Sequence, residues 1–256
     1  IIYKDEILKL WARDRVVSLL GCILFLVFFV PMFIQLIMPV GQARYGWVTI
    51  IDEGAIAKIN EERTNSTLPQ PLPRLIHNKA TYFGQTFFIN YVSHFSSSFL
   101  FFEGGSQYQF SVPGKGLLYP INLPFIVFGL VWVLLKRSKS GALVLLWILV
   151  APLASSITRE APHTLRAIVV EPIPQLMAAA GLVAFLKYAR HFKQFAVFVY
   201  AVGMVFFFVS YARAYLVEYR NIYSWAWQYG YKDAVEFVKS NYSDYDRIIM
   251  TKKYGE

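Results

Sequence analysis

Long apolar runs alternate along this chain with short basic clusters. Residues 16–38 form the clearest run, with no charge and a single polar amide, Gln35. Four more apolar blocks follow, at residues 117–135, 141–157, 167–186 and 195–212. A helix needs about 20 apolar residues, within a range near 17–25, to cross the hydrocarbon core of a bilayer. The pattern therefore predicts about five transmembrane helices. Two are irregular at their starts. Pro120, Asn122 and Pro124 disturb one, and Glu171, Pro172, Pro174 and Gln175 stand in another.

The intervening segments carry helical periodicity of their own. In residues 47–63, Val48, Ile51, Ala55 and Ile59 recur at helical spacing, while Glu53, Lys58, Glu61, Glu62 and Arg63 supply a polar face. That predicts an amphipathic helix lying in the membrane interface. A proline-rich turn at Pro69, Pro71 and Pro73 separates it from residues 82–102, an aromatic stretch suited to a second interfacial helix or a re-entrant one. Beyond the last span, Ala234, Val235, Phe237 and Val238 predict a helix over residues 231–241, and residues 247–251 read as a short strand. The expected fold is an all-α integral membrane protein with a long helical outer loop and the start of an outer α/β domain. Ile1 at the beginning, and Glu256 just after the strand-like run, read as cuts in a longer protein.

Charge assigns the sides. Only 16% of residues are charged, against about 25% in soluble domains. The net charge of +9 does not indicate nucleic acid, because the basic residues sit in short clusters between apolar blocks. Lys4, Lys9, Arg13 and Arg15, then Lys136, Arg137 and Lys139, then Lys187, Arg190 and Lys193 make ten on one side, whereas residues 39–116 hold only six. By the positive-inside rule, residues 1–15 and the other basic stretches are cytoplasmic, and residues 39–116, 158–166 and 213–256 face outward. The expected location is the bacterial inner membrane, multi-pass, with lipid as a partner. Cys22, the only cysteine, forms no intrachain disulfide and no cysteine metal site.

Candidate chemistry concentrates in the short outer loop, residues 158–166. Such loops normally avoid arginine, yet this one holds Arg159 and Arg166 beside Glu160 and His163. Pro162 is suited to the first position of a helix, whose unpaired N–H groups would point outward. Arg166, three residues beyond His163, would share its face. The pair would form an anion site suited to phosphate or pyrophosphate. Glu171 would lie roughly 7–8 Å deeper along the same helix, an ionisable group within a span and so a functional candidate. The plainer alternative is that Arg159 and Arg166 snorkel to lipid headgroups, with Glu160 as their partner.

Other polar residues invite less. Asp52 and Glu53 would point about 100° apart on a helix, too far to grip one proton or metal together. His77 and His94 are isolated. Trp225 and Trp227, with Tyr211, Tyr215, Tyr219, Tyr223, Tyr229 and Tyr231, read as an interfacial anchoring belt. Asn65-Ser66-Thr67 and Asn241-Tyr242-Ser243 match a glycosylation pattern too short to carry weight.

Several segments together resemble a known family. The run from Asn90-Tyr91-Val92-Ser93-His94-Phe95-Ser96 through Phe99 to Gly105 is similar to a loop of bacterial membrane glycosyltransferases of the dolichyl-phosphate-mannose–protein mannosyltransferase type. Gly116-Leu117-Leu118-Tyr119 leading into Leu123-Pro124-Phe125, and residues 158–166 followed by Pro172 and Gly181, resemble the same family. The resemblance implies the GT-C fold and transfer of a sugar from a polyprenyl-phosphate donor to an acceptor on the outer face. It also implies that the catalytic acid lies in an earlier outer loop absent from this chain, so Asp52 and Glu53 do not inherit the role. No cofactor is called for, and a divalent metal stays open. Two other classes compete: a polytopic transporter or lipid flippase, and a non-enzymatic membrane scaffold for an outer C-terminal domain.

Overall fold

The computed structural model describes residues 2–249, which are built from helices throughout, with no strand among the described residues. Its first helix, α1 (Lys4–Arg13), is amphipathic, with Ile7, Leu8, Leu10 and Trp11 on the apolar side, and it breaks at Asp14. Then α2 (Arg15–Ile37) runs 23 residues with no buried residue. Four loop helices follow: α3 (Pro39–Val48), α4 (Glu53–Thr64), α5 (Leu72–Ile76) and α6 (Lys79–Ser93). Asp52 and Asn78 cap α4 and α6, each side chain accepting from backbone N–H groups of the first turn. A π-turn at Ser98–Phe102 ends this region. The expectation that residues 47–63 and 82–102 are largely helical is met.

The remaining helices are α7 (Leu123–Lys136), α8 (Lys139–Val150), α9 (Leu153–Ser156), α10 (Ile173–Tyr188), α11 (Lys193–Arg213), α12 (Arg220–Ile222) and α13 (Tyr231–Ser240). Among the described residues, four helical stretches are long and apolar enough to cross a membrane: Arg15–Ile37, Lys139–Ser156, Ile168–Tyr188 and Arg190–Ile222. This corrects the expectation of five. The block at residues 117–135 gives only Pro120–Lys136, about 25 Å of helix at 1.5 Å per residue, short of a core about 30 Å thick. The prolines anticipated there are the cause, since the chain stays irregular until a 3-10 turn at Pro120–Asn122.

The short helix is held by its neighbour. Gly129 of α7 and Gly181 of α10 face each other, and a Cβ on either would run into the partner's backbone, at Met177 and Phe125 respectively. Small residues allow this backbone-to-backbone approach, the usual way helices associate where lipid removes the hydrophobic incentive. Phe125 and Phe185 add an edge-to-face contact beside it.

Contacts gather at two ends. At the basic end, Lys139 Nζ lies 2.5 Å from Glu6 Oε1, and the Tyr3 and Ser140 hydroxyls are 3.2 Å apart, tying α1 to the start of α8. At the other end the loop helices close over residues 155–166. Residues 213–249 add the expected helix as α13. Residues 247–249 are not a strand, and the rest of the expected strand falls outside the described residues.

Candidate functional site

The loop between α9 and α10 is the knot that joins these parts. Thr158 bridges to Thr49, and the Arg159 N–H donates to the Val48 carbonyl at 2.9 Å. Asn90, from α6, donates to the Ser156 and Thr158 carbonyls at 3.3 and 2.8 Å. The Asn90 carbonyl in turn accepts from His94 Nδ1 at 2.7 Å, so the Asn90 and His94 of the aromatic stretch serve this junction. Burial holds the His94 pKa below the usual histidine range, against the opposing effect of its bond to Asn90.

The structure corrects the expected geometry of residues 158–166. No helix begins at Pro162; the segment is bends and turns, and α10 starts only at Ile173. His163, three residues short of Arg166, folds back so that its Nδ1 accepts the Arg166 N–H at 3.4 Å. It is buried, 4% exposed, and its ring tilts against Phe110. Burial first and Arg166 second hold its pKa below the usual range, so it is a neutral wall residue. Arg166 donates to Thr158 Oγ1 at 2.9 Å and pairs with Glu160 at 3.4 Å. Gln107 donates to the same Glu160 oxygen at 2.8 Å. Arg159 pairs with Asp52 at 3.0 Å. The Ala55 N–H and then Arg159 hold the Asp52 carboxyl below the ordinary carboxylate range. Thus Asp52 is a helix cap and ion-pair partner, two roles that its spacing from Glu53 did not reveal. His77 likewise pairs with Glu62, at 3.1 Å.

Of the predicted site residues, Glu171 lines a cavity. It lies at the foot of the 3-10 turn Ile168–Val170, immediately before α10, and not deep along a helix begun at Pro162. The cavity is about 510 Å³ and is bounded by the loop at residues 110–119, Thr164, Glu171, Gln175 and Tyr211. Glu171 Oε2 is buried there without a hydrogen-bond partner. A second cavity of about 300 Å³ lies alongside, with Phe101, Phe102, Pro120 and Phe207 in its wall. Lys115 lines both.

Lys115 is the residue that reading the chain missed. Gly114 precedes it with φ +71°, a left-handed turn open to glycine at little cost, and the turn carries the lysine to Ser210, whose Oγ accepts from Nζ at 2.7 Å. It makes no ion pair with a carboxylate among the described residues. The signal was visible as one cation between Gly114 and Gly116 at the entry to an apolar block. Among the described residues no group of three or more His, Cys, Asp or Glu is placed to hold a metal ion.

Four helices long and apolar enough to cross a membrane, with a short helix braced against one of them, suggest a membrane protein, and two cavities lie beneath the loop end of the bundle. No protein-family model, curated protein or solved structure matches the chain.

Proposed function

We propose that this chain is part of a membrane glycosyltransferase that moves a sugar from a polyprenyl-phosphate donor to an acceptor at the outer face of the bacterial inner membrane. One observation carries the reading: Lys115 stands between a cavity whose mainly apolar wall carries Asn122, Glu171 and Gln175 and a second, aromatic and apolar one. A lipid-linked sugar phosphate has the same three parts in the same order. Its sugar fits the wall of Glu171, Gln175 and Asn122, its phosphate meets the ammonium group, and its first isoprene units lie against Phe101, Phe102 and Phe207. Cavities of this size fall in the usual range for small-molecule sites, about 300–1,000 Å³.

In this reaction the acceptor hydroxyl attacks the anomeric carbon. The bond from that carbon to the phosphate oxygen breaks, and the electron pair leaves with the polyprenyl phosphate. Lys115 stabilises the charge developing on that oxygen, and the unpaired Glu171 Oε2 accepts from a sugar hydroxyl. The acceptor's proton passes to a base outside these residues. Arg166 and His163 act from behind the wall: the arginine is engaged with Thr158 and Glu160, and the histidine is neutral and packed on Phe110. A transporter would break its helices near the bilayer midplane around a central site. The break at Glu171–Pro172 lies instead at the loop end of its span.

The test is transfer from a radiolabelled polyprenyl-phosphate sugar in membranes holding matched amounts of protein. A charge-assisted hydrogen bond to phosphate is worth about 1.5–3 kcal/mol, so Lys115→Ala should lower donor use by roughly ten- to a hundredfold. Unchanged donor dependence in that variant would remove the reading.

A further inference from the structure

The row of tyrosines at the end of α11 has a geometry that an anchoring belt does not require. Tyr211, Tyr215, Tyr219 and Tyr223 stack in sequence, with ring centroids 6.3, 5.7 and 5.8 Å apart and planes within 26° of parallel. Four residues overshoot one turn of an α-helix and undershoot one turn of a π-helix. The π-turn at Ala214–Tyr219 therefore cancels the drift that would otherwise fan the rings apart. Tyr108, from the outer loop, stacks on Tyr223 at 4.8 Å and extends the row. From Tyr211 to Tyr223 the row runs about 18 Å along the axis at 1.5 Å per residue. A headgroup layer is only roughly 5–8 Å deep on each side. A belt is a ring at one depth, whereas this is a column along a helix.

The column borders open space at its inner end and along its middle. Tyr211 lines the cavities beside Lys115. Further out, a pocket of about 370 Å³ is walled by Tyr215, Tyr219, Arg220, Ser224, Trp227 and Tyr229. Trp227 Nε1 donates to the Tyr219 hydroxyl at 2.7 Å, and the Tyr219 hydroxyl donates to the Tyr108 carbonyl, so the pocket's inner wall is fixed. Its rim is not covered: Tyr229 is 79% exposed, Trp227 61% and Tyr215 50%. Arg220 has no carboxylate partner among the described residues.

We infer that this pocket binds a carbohydrate and that the tyrosine column leads a saccharide chain from the pocket toward the cavity at Lys115. A pyranose ring presents an apolar face of axial C–H bonds and an equatorial rim of hydroxyls. Flat aromatic walls take the face, while Arg220 and Ser224, set at the edge, meet the rim. The pocket offers no exposed strand edge and no acidic group, which a peptide or a basic ligand would use. That the bound saccharide is the transfer acceptor rests on the glycosyltransferase reading; that the pocket takes a sugar does not.

Binding is measured by titration calorimetry on the purified protein in zwitterionic-lipid nanodiscs, with no donor present. The probes are mannohexaose, cellohexaose and maltohexaose, with a neutral hexapeptide as comparison. At least one saccharide should bind saturably, and Trp227→Ala and Tyr229→Ala should each weaken it by tenfold or more. Among the described residues the Tyr229 side chain makes no hydrogen bond and is 79% exposed, so its variant separates lost binding from lost folding. Binding by none of the saccharides, binding unchanged in both variants, or saturable binding of the hexapeptide alone overturns the inference. So does a Trp227→Phe-sensitive quenching of fluorescence by lipids brominated on their acyl chains, which would make the rim a lipid-facing anchor. Saccharide binding that persists while Lys115→Ala leaves donor use unchanged would keep the site and remove the transferase reading. An active enzyme with no saccharide binding would remove the site alone.

Discussion

Arg166 and Lys115, two of the cations at the loop end of this molecule, are used in opposite ways. Arg166 lies where a short outer loop should avoid charge, and its guanidinium is spent on Thr158 and Glu160, inside a junction that also engages Asn90, Asp52 and Arg159. Lys115 lies in a glycine-flanked loop with an ordinary pattern, and its ammonium reaches only the hydroxyl of Ser210 between two cavities. An unexpected charge at a membrane boundary is therefore as well explained by an internal tie as by a ligand. What distinguishes the two is whether protein partners already satisfy it.

The difference predicts opposite responses to the same substitution. The largest effect expected is on chemistry: Lys115→Ala cuts donor use roughly ten- to a hundredfold, from the loss of a bond worth about 1.5–3 kcal/mol, while thermal unfolding in detergent stays within a degree or two of wild type. Arg166→Ala should do the reverse, lowering stability by about 1–3 kcal/mol because Thr158 and the part-buried Glu160 lose their donor. Arg166→Lys should recover only part, since lysine lacks the planar fork. If Arg166→Ala leaves unfolding unchanged but abolishes donor binding, the two cations have exchanged roles.

Asn90→Ala sharpens the same contrast from the other side of the junction. It strips the Ser156 and Thr158 carbonyls of a buried donor, and about 1–2 kcal/mol of stability should go with it, read as faster proteolysis at residues 158–166. Arg159→Ala removes an ion pair whose members are 50% and 35% exposed, and solvent screening leaves such a pair little hold on stability. A clear shift in unfolding for this variant would mean that the pair matters more than its exposure allows.

The smallest effect concerns pH. His94 and His163 are both held below the ordinary histidine pKa by burial. Above about pH 6.5 folded and unfolded forms are alike neutral, whereas below it the unfolded chain gains protons that the folded one resists. Stability should therefore fall as the pH drops from 6.5 toward 5, by a margin that His94→Gln reduces. A flat profile across that window would show that neither ring is confined.

Much of the architecture was legible in residue pattern alone. Apolar blocks mapped onto helices to within a few residues, and the periodicity of residues 47–63 and 231–241 gave α4 and α13. The failures have local and distant causes. Pro162 suits a helix start, but proline favours turns as readily, and here the segment bends so that His163 can pack under Phe110. Lys115 went unnoticed because its meaning depends on Glu171 and Ser210, more than fifty positions away. Spacing within a helix can be read along the chain; neighbours across a cavity cannot.

The glycine contact between α7 and α10 bears on how the protein is made. A segment of 17 residues makes about 25 Å of helix, less than the roughly 30 Å it would have to cover alone. Its stable resting place is the face of a helix synthesised only after α8 and α9. A chain truncated before Gly181 should therefore leave α7 without its packing partner and more open to labelling than in the full chain.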